Sequence, residues 1–420
     1  MNAPVANGVQ GFLARFEGLR ARLPGDPAPR LAAAETLRVS GLPGRRNEAW
    51  HYTNLRPIEE AAFSEPLTAL ADGGALLAHA PALRPRLVFV DGRFRADLSD
   101  RLGAAGFQPF AARGAFGALA RPDREPLVAL NTMLAEDGAV IEVPPGVDGG
   151  TIALLSLATE ASGRATAFHP RHIIRLAPGA RLTLVEMTLG SGTYLHNPVS
   201  EIEVAEGATL THVRLQDEGP SAFHLATLYA SVAARGTYDG FTLALGGRLA
   251  RTEIHAGLNG PGAAAHLNAA QLLTGVQHAD ITSVVRHAAP SGTSRQTVKH
   301  VLAGRSRSVF QGRIEVARAA QKTDGYQMNQ ALLLSPDAEA DCKPELEIFA
   351  DDVKCSHGAT VGELDAEQLF YLRSRGIPAA EARAMLVRAF LAEAIETVAH
   401  EAAREVLERA VHLWWERQVA

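Results

Sequence analysis

The chain has 420 residues, enough to bury a large core, with 47% hydrophobic and 21% charged residues, a composition that places it among globular proteins. Its net charge of −5 comes without a clustered Lys/Arg stripe, which argues against a nucleic-acid partner; no run approaches the length of apolar sequence a membrane helix requires. Two cysteines, Cys342 and Cys355, are too few for a disulfide framework or an all-cysteine cluster.

The opening segment, Met1 to Gln10, lacks a basic stretch followed by an apolar one and does not read as a secretory leader, so a cytoplasmic location is expected. From Gly11 to Leu42 apolar residues recur at helical spacing (Phe12, Leu13, Phe16, Leu19, Leu23), followed by Pro- and Gly-punctuated sequence to about Arg121. Residues 1–121 are therefore expected to form a partly helical N-terminal region. From about Val140 the pattern changes to short β-branched and Leu-rich runs between Gly, Pro, Asp and Asn turns, such as His172 to Leu176 and Leu182 to Val185. Residues 122–362 are read as a β core. Helical periodicity returns after Gly362, through Leu364, Leu369, Phe370, Leu386, Phe390, Ile395, Leu407, Val411 and Trp414, so 363–420 is read as a C-terminal helical domain.

The β core carries a loose repeat. Ala177–Pro178–Gly179–Ala180 leading into Leu182–Thr183–Leu184–Val185 is echoed by Ala205–Glu206–Gly207–Ala208 leading into Leu210–Thr211–His212–Val213, an offset of 28 residues (205 − 177). Small-residue turns at Gly236, Gly262 and Gly292 continue the spacing. A period of this length with strands and no intervening helices points to stacked coils, a β-helix, in which each unit buries its apolar face against its neighbours. A β-sandwich with evenly spaced hairpins is the other arrangement compatible with the pattern.

Near the end of the core, Val353 to His357 reads as a strand, and period-two alternation then puts Cys355 and His357 on one face. Thiolate and imidazole are both ligands for iron or zinc, and the neighbouring Lys354 is expected to lower the Cys355 pKa. Two ligands fall short of the four a closed metal site uses, so a site built here needs donors from another chain. The other reading of Cys355 is a small packed hydrophobe. His169, His172, His255 and His266 read as packed or solvated strand residues without a role. Asp351–Asp352 reads as a turn.

The run Lys343 to Asp365, with its Cys355–Ser356–His357–Gly358–Ala359–Thr360 element, and its continuation from Glu367 to Ile377 closely resemble the signature block of the SufB/SufD family of iron–sulfur cluster assembly scaffolds. Arg46 to Leu55 is similar to that family's Glu-x-Trp-Lys-Tyr-Thr-Asp element, with His51 and Asn54 as departures. No cysteine precedes Cys342, and the Cys-Ser-His-Gly-Ala-Thr element is intact, which resembles the SufD type and departs from the SufB type. The resemblance implies a mainly β fold: a right-handed parallel β-helix flanked by N- and C-terminal helical regions. It further implies a non-catalytic scaffold that pairs with SufB, docks the SufC ATPase through its helical tail, and handles iron or a transient iron–sulfur cluster at the junction. His357 and, secondarily, Cys355 would be the metal ligands, with no tightly bound cofactor in the isolated chain. The tail could equally cap the open end of the solenoid, and the isolated chain could self-associate through the surface meant for SufB. The scarce lysines, Lys299, Lys322, Lys343 and Lys354, sit in no phosphate-binding loop, so ATP hydrolysis is left to a partner. The competing class is a carbohydrate-active β-helix enzyme.

Overall fold

A computed structural model describes residues 7–66, 72–160 and 163–419; most of the segment read for a leader lies outside them. Among these residues no helix is long and apolar enough to cross a membrane.

Two long, mostly parallel sheets form a β-solenoid. One runs from Arg86–Val90 through Asp148–Ala158 and Arg181–Gly190 to Asp324–Leu333 and Lys354–Gly362; the other runs from Gly106–Pro109 and Ala139–Val143 to Arg307–Val316 and Glu339–Ile348. The 28-residue repeat is one coil, since Thr209 pairs with Arg181 (209 − 181) and Val199 with Arg171 in the two sheets. The evenly hairpinned sandwich is thereby displaced: successive strands in each sheet are parallel neighbours, one coil apart.

One corner of every coil is closed by a residue in left-handed backbone. Gly179, Gly207 and Gly262 hold φ of 69°, 65° and 67°, and each donates its N–H to the next coil, Gly179 to Glu206 O, Gly207 to Ala234 O and Gly262 to Pro290 O. In the remaining coils this position falls to Arg235, Ser291 and Lys322, at φ of 56°, 61° and 60°, bonded to Pro261 O, Gln321 O and Asp352 O. The turn glycines Gly236 and Gly292 therefore sit one residue past the left-handed position. The ladder bond to the next coil holds these three L-residues in a conformation that favours glycine.

Alternation along the strands separates two apolar cores. Leu182, Leu184, Leu210 and Tyr238 point to the inside of the solenoid with Ile202, Leu228 and Ile254 from the facing sheet. Val185, Met187, Val213, Leu215, Phe241, Leu243 and Leu272 point outward from the first sheet, where Val387, Leu391, Ile395, Leu407, Val411 and Trp414 of the C-terminal helices cover them. The helical tail thus lies along a sheet face. It does not cap the solenoid end, and the apolar outer face explains why: leaving that row of buried side chains in water would cost about 25 cal/mol per Å².

The N-terminal helices Gly8–Leu19 and Pro27–Ser40 pack with Pro126–Leu134 and with Leu195, Phe223 and Leu225 of the solenoid. Asp26 caps the second of these by accepting from Ala28 N, and Gly41 at φ 66° ends it. Trp50 is buried under the Arg251 guanidinium at 4.0 Å from the ring centroid. The solenoid sheet already begins at Arg86–Val90, which pairs in parallel with Asp148–Ala158.

Candidate functional site

The last coil consists of Glu339–Ile348 and Lys354–Gly362, each the outermost strand of its sheet. Register fixes which side chains face the solenoid axis. Gln327 and Asn329, both fully buried, are inward residues of the penultimate coil, and Gln327 pairs with His357, Gly325 with Cys355 and Asn329 with Ala359. In the other sheet the buried Phe310 and Ile314 pair with Cys342 and Leu346. Cys355 and His357 therefore share a face, as the period-two reading expects, and that face looks into the open mouth of the solenoid. Two residues of strand separate them by about 6.6 Å along the chain. His357 is exposed and Cys355 half-buried because no further coil covers them.

The same register brings Cys342 to the mouth from the opposite sheet, a residue to which the sequence assigned no role. Only coil closure places it there, since thirteen positions separate it from Cys355 (355 − 342). Its half-buried side chain packs against Ala269, Ile281, Val298 and Phe310.

Both thiols favour the protonated form in this chain. Burial pushes Cys342 up to about 11, with Asn329 opposing, and burial likewise raises Cys355. The expected lowering by Lys354 does not occur. Lys354 is one residue away and so projects from the other face, while Cys355 packs against Ile314, Val316, Ala320 and Ala350. A metal at the mouth would have to displace these protons.

Beneath the mouth runs a polar ladder. His300 is fully buried, with Nδ1 2.8 Å from Gln271 Oε1 and Nε2 2.5 Å from Asn329 Oδ1. Burial lowers His300 to about 4, so the ring is neutral and has one donor only; one of the two amides must then face it with its NH2. Gln327, directly under His357, is completely buried and has neither its amide oxygen nor its nitrogen paired.

The two edge strands differ in character. Glu339–Ile348 carries Glu339, Asp341, Lys343, Glu345 and Glu347 together with Pro344, the charges and imino acid that keep an edge from pairing with another chain. Lys354–Gly362 reads Lys-Cys-Ser-His-Gly-Ala-Thr-Val-Gly: beyond its first residue it has neither a charge nor a proline. Val361 on this strand and Phe349 ahead of it are 52% and 67% exposed. Past the mouth, Asp365 accepts from Glu367 N and Gln368 N to start the helix Ala366–Ser374, which has no buried residue and shows Phe370 and Tyr371 to solvent.

Of the histidines read as packed, His169 and His172 are indeed buried. His169 pairs with Asn197, and His172 Nδ1 accepts from Ala139 N. His266 lies 3.5 Å from Asp239 and His255 3.0 Å from Glu253, in a group with Glu125 in which Glu253 is buried and the other two are partly so.

The model of the SUF-system FeS cluster assembly SufBD core domain matches residues 157–390, just over half the chain. The iron–sulfur cluster assembly protein SufD of Escherichia coli is 35% identical, over 88% of this chain and 89% of its own length. A SufBD family protein of Synechocystis is 31% identical over 88% and 86%, and the chloroplastic protein ABCI7 of Arabidopsis thaliana is 30% identical over 87% and 81%. The solenoid, the signature run on its last coil and these matches along nearly the full length agree: the chain belongs to the SufB/SufD family of SUF-system iron–sulfur cluster assembly proteins.

Proposed function

We propose that the chain is a non-catalytic scaffold subunit of the SUF assembly complex, one that pairs with a SufB-type subunit at the open end of its solenoid and handles iron or a nascent cluster at that junction. The observation that carries this is the unguarded terminal strand bearing inward-facing Cys355 and His357 over an uncovered coil. An edge strand with free N–H and C=O groups and no guard charges is suited to pair with a strand of another chain. Such pairing would extend the solenoid and close the mouth, giving the donors of this chain the neighbours that a four-ligand site needs.

In this reading His357 and Cys355 are metal ligands from this side, and Cys342 is a third donor within the same coil. Iron or cluster is cargo and not a resident group. Gln327, buried with both amide atoms free beneath His357, is available to bond the second imidazole nitrogen and so fix the ring for ligation. The exposed helix Ala366–Ser374, with Phe370 and Tyr371, is the docking surface for the SufC ATPase, whose nucleotide hydrolysis supplies the work. In isolation the same edge would support a homodimer. A cytoplasmic location is part of this proposal. The carbohydrate-active alternative is set aside because the family match spans the core and reaches into the tail.

The test is His357→Ala in a complex reconstituted from this chain and its SufB- and SufC-type partners, measuring iron and sulfide content against assembly by gel filtration. The His357 side chain is exposed and, among the described residues, makes no hydrogen bond or ion pair, so the substitution leaves the fold intact. The expected result is an intact complex with most of its cluster lost. Normal cluster loading in an intact complex removes the metal role, and a complete block by Cys355→Ser alone would reverse the ranking of the two ligands.

A further inference from the structure

Well away from the mouth, another set of metal-binding side chains is sealed inside the solenoid. His196 ends the strand Tyr194–His196, Glu218 ends Thr209–Glu218, and His224 is second in Phe223–Val232. Coil closure gathers them at one corner, with one donor atom from each lying within 4.8 Å of the others. Their exposures are 1%, 4% and 5%. His196 Nδ1 lies 3.3 Å from Glu218 Oε1, and His224 Nδ1 lies 2.7 Å from Glu218 Oε2.

An ordinary buried ion-pair network leaves part of this unexplained. His224 Nδ1 has no hydrogen-bond partner in spite of its 2.7 Å approach to the carboxylate, so the two atoms are close without being aligned. His196 Nε2 is buried and unpartnered as well. Unaligned donors near one another are what a shared cation produces: ligand atoms held about 2.1 Å from a metal lie about 3.0–3.4 Å apart. The surroundings also fit. Gln216 Nε2 donates to Glu218 Oε2 at 3.0 Å, and Gln216 Oε1 accepts from Gly246 N, an outer contact that orients the carboxylate. Phe168 and His224 pack against the His196 ring, with centroids at 4.8 and 5.0 Å.

We propose that His196, Glu218 and His224 form a mononuclear site for a divalent cation of borderline softness, Zn2+ or Fe2+, taken up as the solenoid closes. Two imidazoles and one carboxylate are the donor set such cations accept. The site is separate from the mouth and independent of the role proposed for it. Because it is sealed, it holds its metal against chelators, whereas donors at the exposed mouth release theirs.

The test uses full-length chain produced in cells supplied with Zn2+ or Fe2+, purified natively, dialysed against EDTA and measured by elemental mass spectrometry. We expect about one metal per chain to survive dialysis, both in the wild type and in Cys342→Ser/Cys355→Ser/His357→Ala, with a loss of about ten-fold or more in Glu218→Gln. X-ray absorption of the retained metal should show nitrogen and oxygen neighbours without sulfur, and the two supplements distinguish zinc from iron. Folded wild-type chain that retains no metal under either supplement overturns the proposal, as does retention undiminished in Glu218→Gln or a sulfur neighbour in the absorption spectrum. Should Glu218→Gln fail to fold, His224→Gln takes its place, and the wild-type metal content and spectrum remain decisive by themselves.

Discussion

Replacing Glu201 by glutamine should destabilise the chain more than any surface change. Glu201 is fully buried and Arg171 nearly so, and the guanidinium reaches the carboxylate through Nη2 at 2.5 Å and Nε at 3.1 Å. The same carboxylate accepts from the N–H groups of Gly117, Leu119 and Ala120 at 3.1, 2.6 and 3.0 Å, tying the segment ahead of Pro126–Leu134 to the solenoid. Glutamine keeps the volume but removes the charge and turns an NH2 toward donors. With its oxygen toward Arg171 it leaves Leu119 N and Ala120 N facing an NH2, and turned the other way it leaves Arg171 buried with only Asn131 and Thr132 as acceptors. Breaking a buried pair in this way costs about 3–5 kcal/mol. Arg171→Met should cost less, about 1–3 kcal/mol, because three amides still satisfy Glu201 when the guanidinium is gone. Burial raises the Glu201 pKa, but Arg171 and those amides more than offset it, so the folded value lies below the ordinary 4.5. The sign follows: stability from this group is fully present above the unfolded value and is lost as pH falls through the folded one. Urea unfolding followed by circular dichroism at pH 7, and again across the acid range, measures both effects. A loss under about 1 kcal/mol for Glu201→Gln, or a larger loss for Arg171→Met, would refute this account.

Other expectations are more local. Phe310→Ala, at a site 1% exposed inside the penultimate coil, should cost about 3–5 kcal/mol in urea unfolding. With iodoacetamide near pH 8, Cys355 and Cys342 of the folded chain should react more slowly than in the urea-unfolded chain, and Cys342 should speed up until pH approaches about 11; faster reaction of folded Cys355 would mean that Lys354 governs it after all. Phe370→Ser/Tyr371→Ser, at two exposed positions of a helix with no buried residue, should leave the thermal midpoint unchanged while lowering the affinity of a SufC-type ATPase in titration calorimetry, and unchanged affinity would move the docking surface elsewhere.

Local chemistry was readable without coordinates wherever a short period decides it. The 28-residue coil shows in the Pro-Gly and Glu-Gly turns because each coil repeats the same corner, and the shared face of Cys355 and His357 follows from alternation along one strand. The helices at either end announce themselves by apolar spacing, whereas the structure showed their caps at Asp26 and Asp365. The signature run on the last strand carried the family. Properties that depend on which coil lies against which stayed out of reach. Arg235, Ser291 and Lys322 take the left-handed corner because a ladder bond to the next coil holds them there, something residue type does not reveal. The pull of Lys354 on Cys355 was misjudged because adjacency in sequence is opposition across a sheet, and burial then sets the thiol. Cys342 reaches the mouth, and Glu218 meets His196 and His224, only because each coil closes back on itself, while His196 and His224 stand one coil apart at the spacing of neighbouring strands, about 4.8 Å. The course of the C-terminal helices along a sheet face, leaving the end uncovered, was likewise settled by where the solenoid exposes its outward apolar row.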